Sequence, residues 1–141
     1  MRFWDSSAIV PLVVAEASTR ACEKWLDADP DAVLWILTRV EVISAVERRA
    51  REGSMARADR VRALADLGRI VTTASEVGDV SAVRALAPAL LARHPLRAAD
   101  ALQLAAALVV ASGDPASWTF VVLDRRLADA AEREGFQVLT S

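Results

Sequence analysis

The chain has 141 residues, of which 54% are apolar and 26% charged, with a formal charge of −2 and a pI of about 5.4. That length fits one domain, residues 1–141, burying about 68–70% of its unfolded surface without help from a metal or a disulfide, and the lone Cys22 rules out an internal bridge. No apolar stretch reaches the roughly 20 residues of a membrane helix and no secretory leader is visible around Asp5, so no membrane partner is expected and the cytoplasm is the expected compartment.

In chain order, Arg2–Trp4 reads as a short strand and Ser6–Val14 as a helix. Ser18–Ala28 is helical, with Ala21, Cys22, Trp25 and Leu26 on one face. Ala32–Leu37 is an apolar run, read as a buried strand. Thr38–Glu52 is a helix with Val42, Ala45, Val46 and Ala50 inward. Ser54–Leu67 is another, with Val61, Leu64, Ala65 and Leu67 inward. Arg69–Thr73 is β-branched and predicts a strand. Glu76–Arg93 is helical with a break expected near Pro88, and Arg97–Ala111 is a long apolar helix. Trp118–Leu123 predicts a strand, Arg125–Glu134 a helix and Phe136–Leu139 a last strand. Short apolar strands alternating with helices predict an α/β fold, a three-layer α/β/α sandwich around a mostly parallel sheet. Trp4, Trp35 and Trp118 sit in apolar runs and are assigned to the core rather than to base stacking.

The overall acidity argues against a nucleic-acid ligand, but charge is unevenly distributed. From Arg39 to Arg62 seven arginines (39, 48, 49, 51, 57, 60, 62) face four acids (41, 47, 52, 59), a local +3. Two readings stand: a solvated helix face with pairs such as Glu47–Arg51, or a face that contacts phosphates.

Four acids stand where a reason is needed. Asp5 and Asp124 each end an apolar strand and precede a helix. Asp is a preferred helix cap, which accounts for either alone. If both strands run parallel, however, both carboxylates emerge at the edge of the sheet where ligands bind. Thr38-Arg39-Val40-Glu41 reads as a capping box, sufficient by itself for Glu41. Asp100 shares its helix face with Leu104, Ala107 and Leu108, where an unpaired carboxylate is costly; it could pair with Arg97 one turn back or coordinate a metal. Four carboxylates in one pocket repel each other unless a cation is present, and oxygen-only ligands select Mg²⁺ or Mn²⁺. Bound ions would also remove the negative net charge, which weakens the objection to an RNA ligand.

Several stretches together resemble the PIN-domain ribonucleases, specifically the VapC-type toxins of bacterial toxin–antitoxin pairs. They are Asp5-Ser6-Ser7-Ala8-Ile9-Val10, Thr38–Ala45, Leu96-Arg97-Ala98-Ala99-Asp100-Ala101-Leu102-Gln103-Leu104-Ala105 and Phe120–Ala128, each carrying an acid at the expected place and together spanning nearly the whole chain. Val122 departs from the pattern, standing where many relatives carry a small hydroxyl residue. The resemblance implies a PIN-like fold, Mg²⁺- or Mn²⁺-dependent endonuclease activity on RNA, a homodimer and a cognate antitoxin. It implies Asp5 and Asp100 as metal ligands, Asp124 completing the site directly or through water, and Glu41 orienting a water or supporting a second ion.

Other classes are less consistent with the residues. A haloacid-dehalogenase-like phosphatase needs an acid where Ser7 stands, and a receiver-like module needs a late lysine, whereas Lys24 is the only one. A PIN-like domain that binds a partner but no longer cuts is the remaining alternative. His94, the only histidine, lies in a helix-boundary loop and is expected to be structural or exposed rather than paired with a serine nucleophile.

Overall fold

A parallel strand covered on both faces must be apolar at consecutive positions, with alternate side chains entering two different cores. The computed structural model, which describes residues 1–141, has this arrangement. Its strands are β1 (Arg2–Trp4), β2 (Ala32–Trp35), β3 (Ser75–Val77), β4 (Thr119–Val121) and β5 (Gln137–Leu139). Every pairing is parallel and the order is β3-β2-β1-β4-β5. On one face Trp4, Leu34 and Val121 pack with α1 (Ser6–Val13), α2 (Thr19–Ala28), α3 (Thr38–Arg51) and α4 (Arg57–Thr73). On the other, Phe3, Val33, Trp35, Phe120 and Val122 pack with α5 (Val80–Arg93), α6 (Ala98–Ala111) and α7 (Arg125–Arg133). This is the expected α/β/α sandwich, with a sheet that is wholly parallel. Phe3 and Phe120, opposite each other in register, lie 5.2 Å apart centre to centre, and Phe136 meets Phe120 edge-on at 5.5 Å. Trp4 and Trp35 are fully buried and Trp118 lies half-buried against the same core. No helix is long and apolar enough to cross a membrane.

The chain departs from the sequence expectation around residues 54–80. Arg69–Thr73 is not a strand but the end of α4, and the third strand is Ser75–Val77. The preference of β-branched residues for strands is weak and context-dependent. Here Ile70 and Val71 extend the inward stripe begun by Ala63 and Leu67. Thr72 and Thr73 donate their hydroxyls to the carbonyls of Gly68 and Arg69 one turn back, which accommodates threonine in a helix. Of the residues expected inward on α4, Leu67 is buried and Leu64 partly so, whereas Val61 and Ala65 are exposed. Helix α5 starts at Val80 rather than Glu76, capped by the Asp79 carboxylate accepting from the Ala82 N–H. It runs through Pro88 unbroken, because Pro88 and Arg84, whose carbonyl loses its partner, are both exposed to water. Glu47 pairs with Arg60 across the α3–α4 hairpin (2.8 Å), not with Arg51. His94 is structural and buried, its Nε2 2.6 Å from Glu134.

The strand order has one reversal. From β1 the chain steps outward through β2 to β3, then returns to lay β4 and β5 on the other side of β1. At the carboxyl ends of β1 and β4 the following segments diverge, which opens a crevice in such sheets.

Candidate functional site

Asp5 follows β1 and Asp124 lies three residues beyond β4, one on each side of that crevice. Both are helix caps. Asp5 accepts from the Ser7 N–H at 2.9 Å and Asp124 from the Leu127 N–H at 2.9 Å. Asp100 enters from the first turn of α6 and Glu41 from the first turn of α3. All four carboxylates line one cavity of about 360 Å³, together with Ser6, Ser7 and the α3 arginines Arg48 and Arg49.

The capping-box reading of Glu41 does not hold. Leu37 occupies the cap position of α3 without a side-chain bond, and Thr38 is buried. The Glu41 carboxylate turns instead into the crevice, where its two oxygens accept from the Ser6 hydroxyl (3.0 Å) and the Gln103 amide (3.1 Å). Gln103 is fully buried on α6, one turn after Asp100, and also donates to Thr38 Oγ1 at 3.0 Å. This amide ties the helix bearing Asp100 to the helix bearing Glu41.

Ser7 links the two strand ends. Its hydroxyl donates to Asp5 Oδ2 at 2.5 Å, and its oxygen accepts from the Leu123 N–H at 2.9 Å and, at the longer 3.4 Å, from the Asp124 N–H. Ser7→Ala leaves the Leu123 N–H without this partner. A lost bond of this kind costs about 1–3 kcal/mol, so we expect the urea midpoint to fall accordingly. An unchanged midpoint would show that the loop is held by other means.

The electrostatics follow from crowding. Asp5, 3% exposed, has its carboxyl raised to about 6, chiefly by burial; the Ser7 bonds oppose the shift and the Asp100 charge adds to it. Glu41 is raised to about 7 by burial and then by the Asp5 charge, against the hydrogen bonds from Ser6 and Gln103. Asp100 is raised by burial and by Asp124, with Arg97 and Arg126 pulling the other way. None of the four acids takes part in an ion pair, including Asp100 with Arg97. Of the two arginines in the cavity wall, Arg49 is bound to Glu16. The donor set is thus all-oxygen, negative and short of fixed cations, which is the chemistry a hard divalent ion satisfies. No three acid, imidazole or thiol groups stand ready-made as a chelate, so chelation would need their side chains to converge within the shared cavity.

Sequence reasoning locates the four acids but gives no role to Ser6 or Gln103, and it weighs Ser7 as the place where a phosphatase would carry a second acid. A Ser-Ser pair after a strand-ending Asp carried a usable signal, since small hydroxyls in a first turn reach a cap carboxylate. Gln103 had a weaker one: it is the lone polar residue in the run Ala101–Ala107.

Comparison with known proteins agrees with this geometry. A family model described as PIN domain matches residues 2–133. The protein named Ribonuclease VapC47, from Mycobacterium tuberculosis, is 31% identical over 140 residues, covering 96% of this chain and 93% of its own. Among solved structures, FitAcB from Neisseria gonorrhoeae superposes with a TM-score of 0.67 at 17% identity, covering 99% of this chain and 96% of that one. A toxin–antitoxin complex from Klebsiella pneumoniae gives 0.66 at 15% identity, with 91% of each chain covered. At those identities the two structures speak for the fold.

Proposed function

The chain belongs to the PIN-domain family, and on that premise we propose that it is a divalent-metal-dependent endoribonuclease, the toxin of a toxin–antitoxin pair. The observation that carries this is the convergence of Asp5, Glu41, Asp100 and Asp124, all without cationic partners, in one cavity at the sheet's switch point. A 31% identical relative named as a ribonuclease, matched across 96% of this chain, supports the same activity.

In this reading Asp5 and Asp100 hold Mg²⁺ or Mn²⁺, with Asp124 completing the set directly or through water. The ion would stabilise charge on the phosphodiester and make bound water a better nucleophile. The protein's own groups set the geometry. Ser7 fixes the Asp5 carboxylate and places the Asp124 loop against it. Ser6 and Gln103 hold Glu41 by both oxygens, so its orientation is set from two helices. Held in this way, Glu41 would orient an attacking water and accept its proton, or support a second ion. An antitoxin as protein partner and a homodimer as assembly belong to the same proposal; structural neighbours that are toxin–antitoxin complexes support the former.

The test is cleavage of a panel of purified RNAs in Mg²⁺, in Mn²⁺ and in EDTA. Cleavage that needs the ion is the expected result. Undiminished cleavage in EDTA would end the metal assignment, and a folded protein that cuts no RNA under any condition would favour the silent, partner-binding alternative.

A further inference from the structure

A second cavity, of about 590 Å³, opens beside the first. It is lined by Arg97, Ala99, Arg125 and Arg126, and by Asp100 and Asp124, which also line the acidic cavity. The two cavities therefore share those two carboxylates in their walls. The second cavity's volume lies within the roughly 300–1,000 Å³ usual for ligand sites, and half of its lining residues are arginines.

These three differ from the six arginines that are tied to an acid. Arg2, Arg49, Arg60, Arg62, Arg69 and Arg93 are each engaged with an acid. Arg97, Arg125 and Arg126 are exposed and have no ion-pair partner. The basic stretch Arg39–Arg62 is less available than its charge suggests, since Arg49, Arg60 and Arg62 are paired and Arg39 lines a separate groove with Arg69. Arg48 stays unpaired in the wall of the acidic cavity itself, while Arg51 and Arg57 line neither cavity. The free arginines of the adjoining cavity sit at the starts of α6 and α7, whose N-terminal N–H groups add a partial positive charge of their own.

We infer that Arg97, Arg125 and Arg126 form a phosphate-binding pocket that holds the RNA backbone immediately beside the cleavage site. The inference rests on the reading of the chain as a nuclease acting on RNA, and it says where the strand is gripped. Guanidinium groups match phosphate oxygens through paired N–H donors. A strand whose scissile phosphate lies over the four acids brings the next phosphates along it to this adjoining cavity, one for each arginine, so that one end of the crevice attracts the strand while the acids occupy the other. Contacts of this kind position the backbone and carry no base sequence.

The test measures binding of a short single-stranded RNA of random sequence in a Glu41→Gln background, which leaves the arginine cavity untouched. Combined R97A, R125A and R126A should weaken binding at least tenfold and should flatten the dependence of log affinity on log salt by about 2, since each phosphate contact on single strands contributes about 0.7. A matched control, R20A with R84A and R133A, removes as many exposed, unpaired arginines away from both cavities and should move the slope little. With Glu41 restored, the pocket variant should raise KM more than it lowers kcat. Should R97A disturb the start of α6, R125A with R126A alone still lowers the slope by about 1. The pocket is overturned if its variant binds like the parent, or if the control loses as much. If the parent binds no RNA and the wild type cuts none, the nuclease reading falls and the pocket with it.

Discussion

Asp5→Asn should abolish metal-dependent RNA cleavage and at the same time make the ion-free protein more stable at neutral pH. Asparagine keeps the cap, because its side-chain oxygen still accepts from the Ser7 N–H. What it removes is a buried charge. The Asp5 carboxyl titrates near 6 in the folded protein against an ordinary 3.8. Folding therefore favours its protonated form, and stability falls as pH rises through that interval, with the full deficit present above about 6. At roughly 1.4 kcal/mol per pKa unit, the ionised carboxylate costs on the order of 3 kcal/mol at neutral pH. Glu41 and Asp100 shift in the same direction and steepen the trend. Urea denaturation in EDTA at several pH values reads it directly: the wild type should weaken from pH 5 to pH 8, and the variant should weaken less and start higher at pH 8. A variant less stable than wild type at pH 8 would contradict the burial of a charge at this position.

Asp100→Asn should lower cleavage at least a hundredfold, roughly the scale on which single groups that stabilise transition-state charge act, while the fold is left at least as stable as before. Its position explains the separation. Asp100 is half-buried in the first turn of α6, where a carboxylate gains from the helix dipole about 0.3–1 kcal/mol. Asparagine forfeits that gain, but it also relieves the repulsion from Asp124. Burial and that repulsion outweigh the gain, since the carboxyl is raised overall, so the ion-free variant should be no less stable than the wild type at neutral pH. The ligand role has a separate readout, because an ion that binds only the folded state raises the melting temperature in proportion to its affinity. Mg²⁺ or Mn²⁺ should stabilise the wild type and fail to stabilise the variant. Full cleavage by Asp100→Asn would remove this residue from the site.

The site was legible where chemistry and position disagreed. Asp100 on an apolar face had no bland explanation, and Asp5 and Asp124 repeated one arrangement at two strand ends. Glu41 was ambiguous for a physical reason, since Thr38-x-x-Glu41 also suits a cap; only the neighbouring β1–α1 and α6 segments turn its carboxylate inward, through Ser6 and Gln103. Those partners are distant in sequence, and no local pattern encodes them. In the fold, β1, β2 and β4 were readable because a strand buried on both faces is continuously apolar. The edge strand β3 was not. Ser75 and Glu76 are exposed, and the β-branched run before them is helical because its inward stripe continues α4. The basic stretch in α3 and α4 was visible as composition, but its pairing with Glu16, Glu47 and Asp59 was a tertiary fact.

The bond from the Leu123 N–H to Ser7 Oγ spans 116 positions of chain, and this bears on when the site is assembled. During synthesis β1 emerges first, and its inner neighbour β4 follows only after more than a hundred further residues. Until Thr119–Val121 docks, the Ser7 hydroxyl has no strand end to grip and Asp124 is not beside Asp5. Such long-range closure is also slow to form. A nascent chain that has not yet reached β4 therefore carries three of the four acids without the enclosure that brings them together, and the site is assembled only once β4 has docked.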